Sequence, residues 1–489
     1  MAKHDDSRPL RLGSRAAGVP EDTLRQRLEH STVVVSVDPS LPGALLTARV
    51  LAMTLRRLPI NLVLEPARLS EDLVESIRAG VVRIDSRRGL MLAEGLATEV
   101  IRVHVGARTG DAGAIRAAPD GYGAHIARDA GVELHIARRA HPLGSVFTAA
   151  MAAGEVFKDL AGVLDRRRVD HSHLTWCPVS LSADLTVAPM QSTPLELRLA
   201  LAGCGAIGTA IALILQELDA TGDLLVIDRQ RFARENLSTY SLGDEASVRG
   251  RPWKVNLVRR HLQRYRVRTL NANVEDLASM VDRGEVVWPR VVLAGLDSAA
   301  ARRGLQRLWP DRLIDGGTSD TAVGMHDVVA EDGPCLMCFF PPRSEDDTVR
   351  QLARLTGLSI DRLGHGDDPL LANELQGKTP EQEALLKPML GKPVCGLARA
   401  VGLVDSDADG YQPAVPFIAQ QAACLVVGRL IADQVGVRSA GNFVEYDALI
   451  GPRADGVDRR RTVSGCHCRE RADVIRKVRA ARRGTSSSG

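Results

Sequence analysis

The chain has 489 residues, enough for two to four domains with ample core, and its 45% apolar and 25% charged content is that of a globular protein. A net charge of only +3 argues against nucleic acid as a partner, and no stretch reaches the ~18 apolar residues of a membrane-spanning helix. Eight cysteines in so long a chain are no disulfide framework, so each is read for metal or nucleophile chemistry.

The first ten residues, MAKHDDSRPL, hold no apolar targeting segment, and the expected compartment is the cytoplasm. Residues 1–20 are polar and expected to be flexible, and 21–30 predict a short amphipathic helix. From Ser31 the pattern becomes β/α. Strands are expected at 33–35, 60–64, 100–105 and 132–136, with helices at 45–55 and 143–160. This reads as a Rossmann-like half in which Asp38-Pro39-Ser40-Leu41-Pro42-Gly43 replaces the glycine turn. Two prolines lack N–H groups, so that loop makes a poor phosphate cradle. Residues 166–196, rich in Asp, Ser, Thr and Pro, read as an exposed linker; His171, His173 and Cys177 within it are weaker candidates for metal ligands.

From Leu197 the pattern restarts with an intact turn. An apolar strand leads into Gly203-Cys204-Gly205-Ala206-Ile207-Gly208, then a long apolar helix and a strand, 224–227, ending on Asp228. The first glycine permits the tight turn, the second admits a phosphate to backbone N–H groups, and the third lets helix pack on strand. The acid lies 20 residues after Gly208, where a ribose hydroxyl would sit. The motif alone does not choose between NAD and ATP.

The strands 291–294 and 313–314 and the closing helix 415–435 repeat the order of the first half; the last two are matched to 134–136 and 143–160. The expected fold class is therefore α/β, two Rossmann-like domains with doubly wound sheets forming a pseudo-dimer. Asp297 ends a buried strand at the carboxyl edge, where it can hold Mg2+ against a triphosphate or merely cap the next helix. Lys254 opens a helix near the same edge and can neutralise phosphate charge. The basic tail 476–483 reads as a solvated helix end.

The set GxGxxG, Asp228, Asn236-Leu237 eight residues later, Gly250-Arg251-Pro252-Trp253-Lys254 and Asp297 resembles the ubiquitin-activating superfamily, which includes the ThiF-type adenylyltransferases of thiamine and molybdopterin biosynthesis. The likeness covers roughly residues 195–468. It implies adenylation of the C-terminal glycine of a ubiquitin-like protein with ATP and Mg2+. By that likeness Gly203, Gly205, Ala206, Ile207 and Gly208 line the nucleotide, and Asp228 holds the ribose. Asn236 and Lys254 contact phosphates, Gln230 lies among the ATP-binding residues, and Asp297 binds Mg2+. The sequence departs from the family pattern at Gln230, where D-x-D is usual, at Thr239, where an arginine is usual, and at the extra Trp253. Arg231 and Arg234 are candidates for the missing cation.

Cys335-x-x-Cys338 and Cys466-x-Cys468 supply four thiolates, which satisfy a closed tetrahedral Zn2+ site. Cys395, in a Gly/Pro loop beside Lys392, stands between the cysteine knuckle and the closing helix, where related enzymes take the activated protein as a thioester. Cys424 and Cys204 read as packing residues.

The likeness gives expected domains: an inactive adenylation-like domain 1–165, the linker 166–196, an active adenylation domain 197–342, a catalytic-cysteine insertion 343–410, and 411–489 with the closing helix, zinc site and tail. Arg25 and Arg27 are candidates for an arginine lent to the active site by the inactive half. The expected molecule is a monomeric pseudo-dimer that passes its substrate to a conjugating-enzyme-like acceptor. It carries no C-terminal ubiquitin-fold domain and suggests a bacterial version of the antiphage-operon kind. The rivals are a sulfur-carrier adenylyltransferase, a catalytically dead scaffold, and an NAD-dependent oxidoreductase, which would leave Lys254, Asp297 and the cysteine pairs without a purpose.

Overall fold

The computed structural model describes residues 7–65, 70–91, 99–109, 111, 113–163, 173–331, 333–341, 345–364, 368–392, 394, 397, 415–438 and 441–486. Cys395 and His171 lie outside them. Chain contacts divide the protein into one unit of 1–339 with 413–489 and a second of 340–412.

Helices α1 (Ser7–Ala17) and α2 (Glu21–His30) precede the first sheet. The first of them corrects the expectation of a flexible start. Leu10 and Leu12 are buried, and Gly13 lies so close to Leu24 and Phe157 that a Cβ there would stand 2.5 Å from a Leu24 methyl. A glycine and a proline in eleven residues mask this helix in the sequence.

The first sheet follows with β1 (Ser31–Val37), α3 (Ala44–Leu55), β2 (Asn61–Leu64), α4 (Glu71–Ile84), β3 (Leu90–Met91), β4 (Glu99–Val105), β5 (Ile115–Asp120), β6 (Gly123–Ala127), α5 (Pro142–Ala161) and β7 (His173–Trp176). Its strand order is β3-β2-β1-β4-β5-β6-β7. The second sheet is built from β8 (Leu195–Ala202), α6 (Ala206–Glu217), β9 (Ala220–Ile227), α7 (Glu245–Gly250), α8 (Lys254–His261), β10 (Tyr265–Leu270), α9 (Leu277–Asp282), β11 (Val291–Ala294), α10 (Ala299–Gln306), β12 (Arg312–Ser319) and β13 (Ala322–Val329). A short α11 (Leu336–Phe339) carries the first cysteine pair. After the second unit come α15 (Pro416–Gln434), β14 (Phe443–Asp447), β15 (Val457–Asp458), α16 (His467–Glu470) and α17 (Ala472–Ser486). The order here is β10-β9-β8-β11-β12-β13-β14-β15. Both sheets are parallel through their centres and antiparallel at one end, from β5 and β12 onward.

The repeat expected from sequence is thus present in the order of the first seven strands of each sheet, β15 being extra, with one correction. The partner of β12 is β5, not 132–136, which is no strand. Arg116 donates to the carbonyls of Asp129 and Val132 and takes up acceptors that a ladder would need. Pro119 within β5 hid the true strand. The linker expectation also needs correcting. Residues 173–176 are strand β7, while Trp176, Cys177 and Val179 are buried. Cys177 donates its backbone N–H to Ser182 O and belongs to the core.

The two closing helices pack on each other at the seam between the halves. In α5 all residues but Pro142 and Asp159 are buried, and in α15 residues 416–432 are buried throughout. A helix apolar on every side needs neighbours on every side. Phe157 and Phe417 meet across the seam with ring centroids 5.4 Å apart, and Gln420 Nε2 donates to Thr54 Oγ1 at 2.9 Å. One continuous apolar cluster runs through both halves.

The second unit holds α12 (Glu345–Thr356), α13 (Ile360–Gly364) and α14 (Pro380–Leu386) around a small core of Leu352, Leu358, Leu370, Leu386, Val394 and Leu397. Arg362 and Glu374 pair within it at 2.5 Å. Among the described residues no helix is long and apolar enough to cross a membrane.

Candidate functional site

In a doubly wound sheet the ligand crevice lies where the strand order reverses. Here that point falls between β8 and β11. The turn after β8 and the loop after β11 meet there. Gly203 has φ +88°, and a Cβ on it would stand 2.8 Å from Gly295 O. Gly208 is tighter still, since a Cβ there would lie 1.9 Å from Gly203 O. Gly205 differs. It caps α6, and a Cβ on it would meet nothing nearer than Tyr240 Oη at 3.8 Å and Gly295 O at 4.0 Å. Two glycines therefore serve the fold, and the middle one leaves open space at the N-terminus of a twelve-residue helix. Its first N–H groups, from Ala206 to Gly208, have no helical acceptor and can receive an anion. Ile207 turns its side chain under Gly295 and Gly316 and offers only backbone.

The corresponding turn of the first half is closed. Gly43 at the N-terminus of α3 abuts Ser145, whose hydroxyl donates to Gly43 O at 3.1 Å, and a Cβ there would stand 2.6 Å from that hydroxyl.

Asp228, at the end of β9, accepts from the Cys204 N–H through Oδ2 and from the Gln230 N–H through Oδ1, both at 2.7 Å. Cys204 itself is buried, and burial raises its thiol pKa. Lys254 begins α8, only 5% exposed, and donates to Gln230 Oε1 at 2.5 Å while its Nζ lies 5.1 Å from the centre of the Tyr240 ring. Burial opposes its charge, but Tyr240 and the Asp228 carboxylate outweigh that and raise its pKa. Asn236 is buried, and its Oδ1 accepts from Ala233 N–H at 2.9 Å, so it shapes the loop that continues through Tyr240. Tyr240, which no sequence motif singled out, lies between Lys254 and Gly205.

Asp297 is exposed at the end of the β11 loop and has no hydrogen-bond partner among the described residues. The capping task falls to Ser298, whose Oγ accepts from Ala301 N–H at 3.1 Å. This loop is held from behind by Arg302, whose Nη2 donates to Leu296 O at 2.6 Å and whose Nε pairs with buried Asp315 at 2.9 Å. His326 Nδ1 lies 3.0 Å from the same carboxylate oxygen. No sequence signal marks this triad, because its members are scattered and aperiodic.

Arg25 and Arg27 lie on α2, and the guanidinium of Arg27 sits against Gly162 beyond α5. From α1, Arg8 meets the 236–243 loop, with Nη1 3.3 Å from Thr239 Oγ1. Arg231 stacks over Trp253 at 4.0 Å and donates to Arg251 O.

Cys335, Cys338, Cys466 and Cys468 come together although the pairs are far apart in sequence, with all four Sγ atoms within 4.8 Å of one another. The separations are 3.9 Å for 335–338 and 3.5 Å for both 335–466 and 338–468. A tetrahedron with ~2.3 Å Zn–S bonds has edges of about 3.8 Å, so the cluster fits Zn2+. The tail after it is not a solvated helix end. Arg482 pairs with Asp282 at 2.8 Å and donates to the carbonyls of Arg307 and Leu308, while Arg479 pairs with Asp311 and Glu331.

The fold and its open turn place the chain in the class of doubly wound α/β proteins that bind a ligand at the switch point. More narrowly, the ThiF family matches residues 182–460, more than half of the chain, and the protein belongs to that family of ThiF-type adenylyltransferases. Among solved structures it is similar to E. coli MccB with MccA, at 12% identity over 72% of this chain and 96% of that one, with a TM-score of 0.35. It is also similar to PaaA, at 15% identity over 51% and 68% of the two chains and a TM-score of 0.29. No curated protein matches it.

Proposed function

We propose that the protein activates the C-terminal glycine of a ubiquitin-like protein. A carboxylate oxygen of that glycine attacks the α-phosphorus of ATP at the 203–208 turn, the bond to the β-phosphate breaks, and pyrophosphate leaves. The thiolate of Cys395 then attacks the acyl carbon, AMP departs, and the thioester is handed to a conjugating-enzyme-like acceptor. The observation that supports this reading is a glycine turn at the switch point, packed against Gly295 and with Lys254 nearby against Tyr240, in a ThiF-family chain.

In this reading Gly205, Ala206, Ile207 and Gly208 cradle phosphate through backbone N–H groups, and Asp228 orients the ribose. Asn236 shapes the phosphate loop. Lys254, with its charge directed to Gln230 and the turn, steadies negative charge gathering on pyrophosphate. Arg8 brings a cation to Thr239, where the family pattern has an arginine of its own, and does so from the half without a glycine turn. Asp297, exposed and unpartnered at the carboxyl edge, fits Mg2+, which would offset the charge of the triphosphate. Zn2+ on the four cysteines would tie the end of the chain to α11.

ATP–pyrophosphate exchange with a candidate ubiquitin-like protein tests the reading. Exchange that persists in Cys395→Ala while a thiol-reducible adduct disappears supports both steps. Exchange without any adduct in the wild type points to the sulfur-carrier kind of adenylyltransferase. No exchange and no ATP binding leave a scaffold.

A further inference from the structure

Arg57 lies two residues past the end of α3 in the half without a glycine turn, yet among the described residues its side chain bonds only to the other half. Its Nη1 donates to Leu237 O at 2.6 Å, and its Nη2 donates to Ser241 O at 2.9 Å and Gly243 O at 3.1 Å. The residue is 1% exposed. These three carbonyls bracket the buried Tyr240, whose hydroxyl hydrogen-bonds with the Lys254 side chain and would stand 3.8 Å from a Cβ on Gly205. The same segment is tied to α6 by the Ser241 N–H on Thr209 Oγ1 at 3.2 Å, and to the seam by Gln420 Nε2 on Ser241 Oγ at 3.3 Å. A loop of irregular backbone has no ladder to fix its carbonyls, and here a fork of donors from elsewhere replaces one.

Arg56, one residue earlier and equally buried, makes an internal comparison. Three of its bonds run to the carbonyls of Arg88, Leu58 and Ile60, all within the first half. Two adjacent arginines thus divide their work, one inside the first half and one across the seam.

We propose that Arg57 is a positioning residue for nucleotide binding: it fixes residues 237–243 so that the Tyr240 hydroxyl holds the Lys254 side chain near Gly205. This rests on the reading that the 203–208 turn binds ATP. It gives the first half a second task besides presenting Arg8, namely holding the shape of the loop that Arg8 touches.

The test is calorimetric titration of the full chain with ATP and Mg2+, alongside thermal melts. Arg57→Met is expected to lose about tenfold or more in ATP affinity, since three charge-assisted bonds to one loop are removed. Arg56→Met lowers the melting temperature but keeps wild-type affinity. Arg57→Lys, which keeps charge and stem but cannot span three carbonyls, falls between and guards against misfolding of the methionine variant. Tyr240→Phe weakens binding in the wild type and adds little in the Arg57→Met background, the non-additivity expected of residues that act together. Wild-type affinity in both Arg57 variants, or additive losses with Tyr240→Phe, overturns the proposal. A wild type that binds no ATP overturns the reading of the turn itself and this proposal with it.

Discussion

The Nζ of Lys254 lies 2.5 Å from Oε1 of Gln230, a neutral partner that orients the ammonium without cancelling its charge. An ammonium held this way in a buried place stays available to phosphate. Lys254→Met should therefore depress ATP–pyrophosphate exchange by roughly two orders of magnitude, the usual cost of removing one charge-stabilising donor from a transition state. The measurement is exchange rate against ATP concentration. Unchanged kinetics would place the phosphates elsewhere.

The three glycines of the turn separate into two kinds by what surrounds them. Gly203→Ala and Gly208→Ala would drive a Cβ to 2.8 Å and 1.9 Å from carbonyl oxygens, so both should lower thermal stability. Gly205→Ala has room and an ordinary φ of −76°, and should melt like the wild type while binding ATP more weakly. A melt combined with nucleotide titration distinguishes the two classes. A Gly205→Ala protein with full ATP affinity would argue that no phosphate approaches the turn.

One metal ion per chain is expected at the cysteine cluster, measured as zinc by elemental analysis of purified protein. Cys466→Ser should lower that stoichiometry. Four thiolates at these separations repel one another unless a cation holds them, so chelation should expose α17 to limited proteolysis and lower the melting temperature. A zinc-free protein of unchanged stability would end the assignment.

His141 caps α5 as a neutral ring, its Nδ1 accepting the Leu143 N–H at 3.2 Å, and burial pulls its pKa from 6.5 down to about 4. His261, also buried, is lowered to about 4 in the same way. A histidine held neutral in the folded chain stabilises it fully above the unfolded value of 6.5 and loses that contribution as pH falls toward 4. The part due to His141 is about 3 kcal/mol at most, judged from the size of the shift. Denaturation by urea at pH 7 and pH 4.5 should show the loss, and His141→Asn, which keeps a capping acceptor, should show less of it. Equal losses in the two proteins would remove His141 from the account.

Much of this architecture was legible in the sequence because it is local. The turn, Asp228, Lys254 and Asp297 follow in chain order at strand and helix ends, and the strand order places β8 and β11, which lead into the turn and into the Asp297 loop, side by side. The four cysteines were legible for another reason, since thiol pairs at such spacing have few other uses. What escaped was the contribution of arginine to carbonyl groups. Arg57, Arg302 and Arg482 leave no periodic mark, and they reach backbone carbonyls that the sequence does not name. The strands at 115–120 and 173–176 escaped because one holds a proline and the other is a four-residue edge among linker-like residues.

The seam of α5 and α15 bears on how such a chain could be assembled. Each helix is buried on nearly all sides and largely apolar, so neither half can shed its partner without exposing a surface that has no business in water. Co-expressed as two polypeptides divided between β7 and β8, the halves should therefore co-purify as a tight heterodimer rather than as two soluble fragments. Covalent continuity in this protein serves to fix stoichiometry; adhesion comes from the helices.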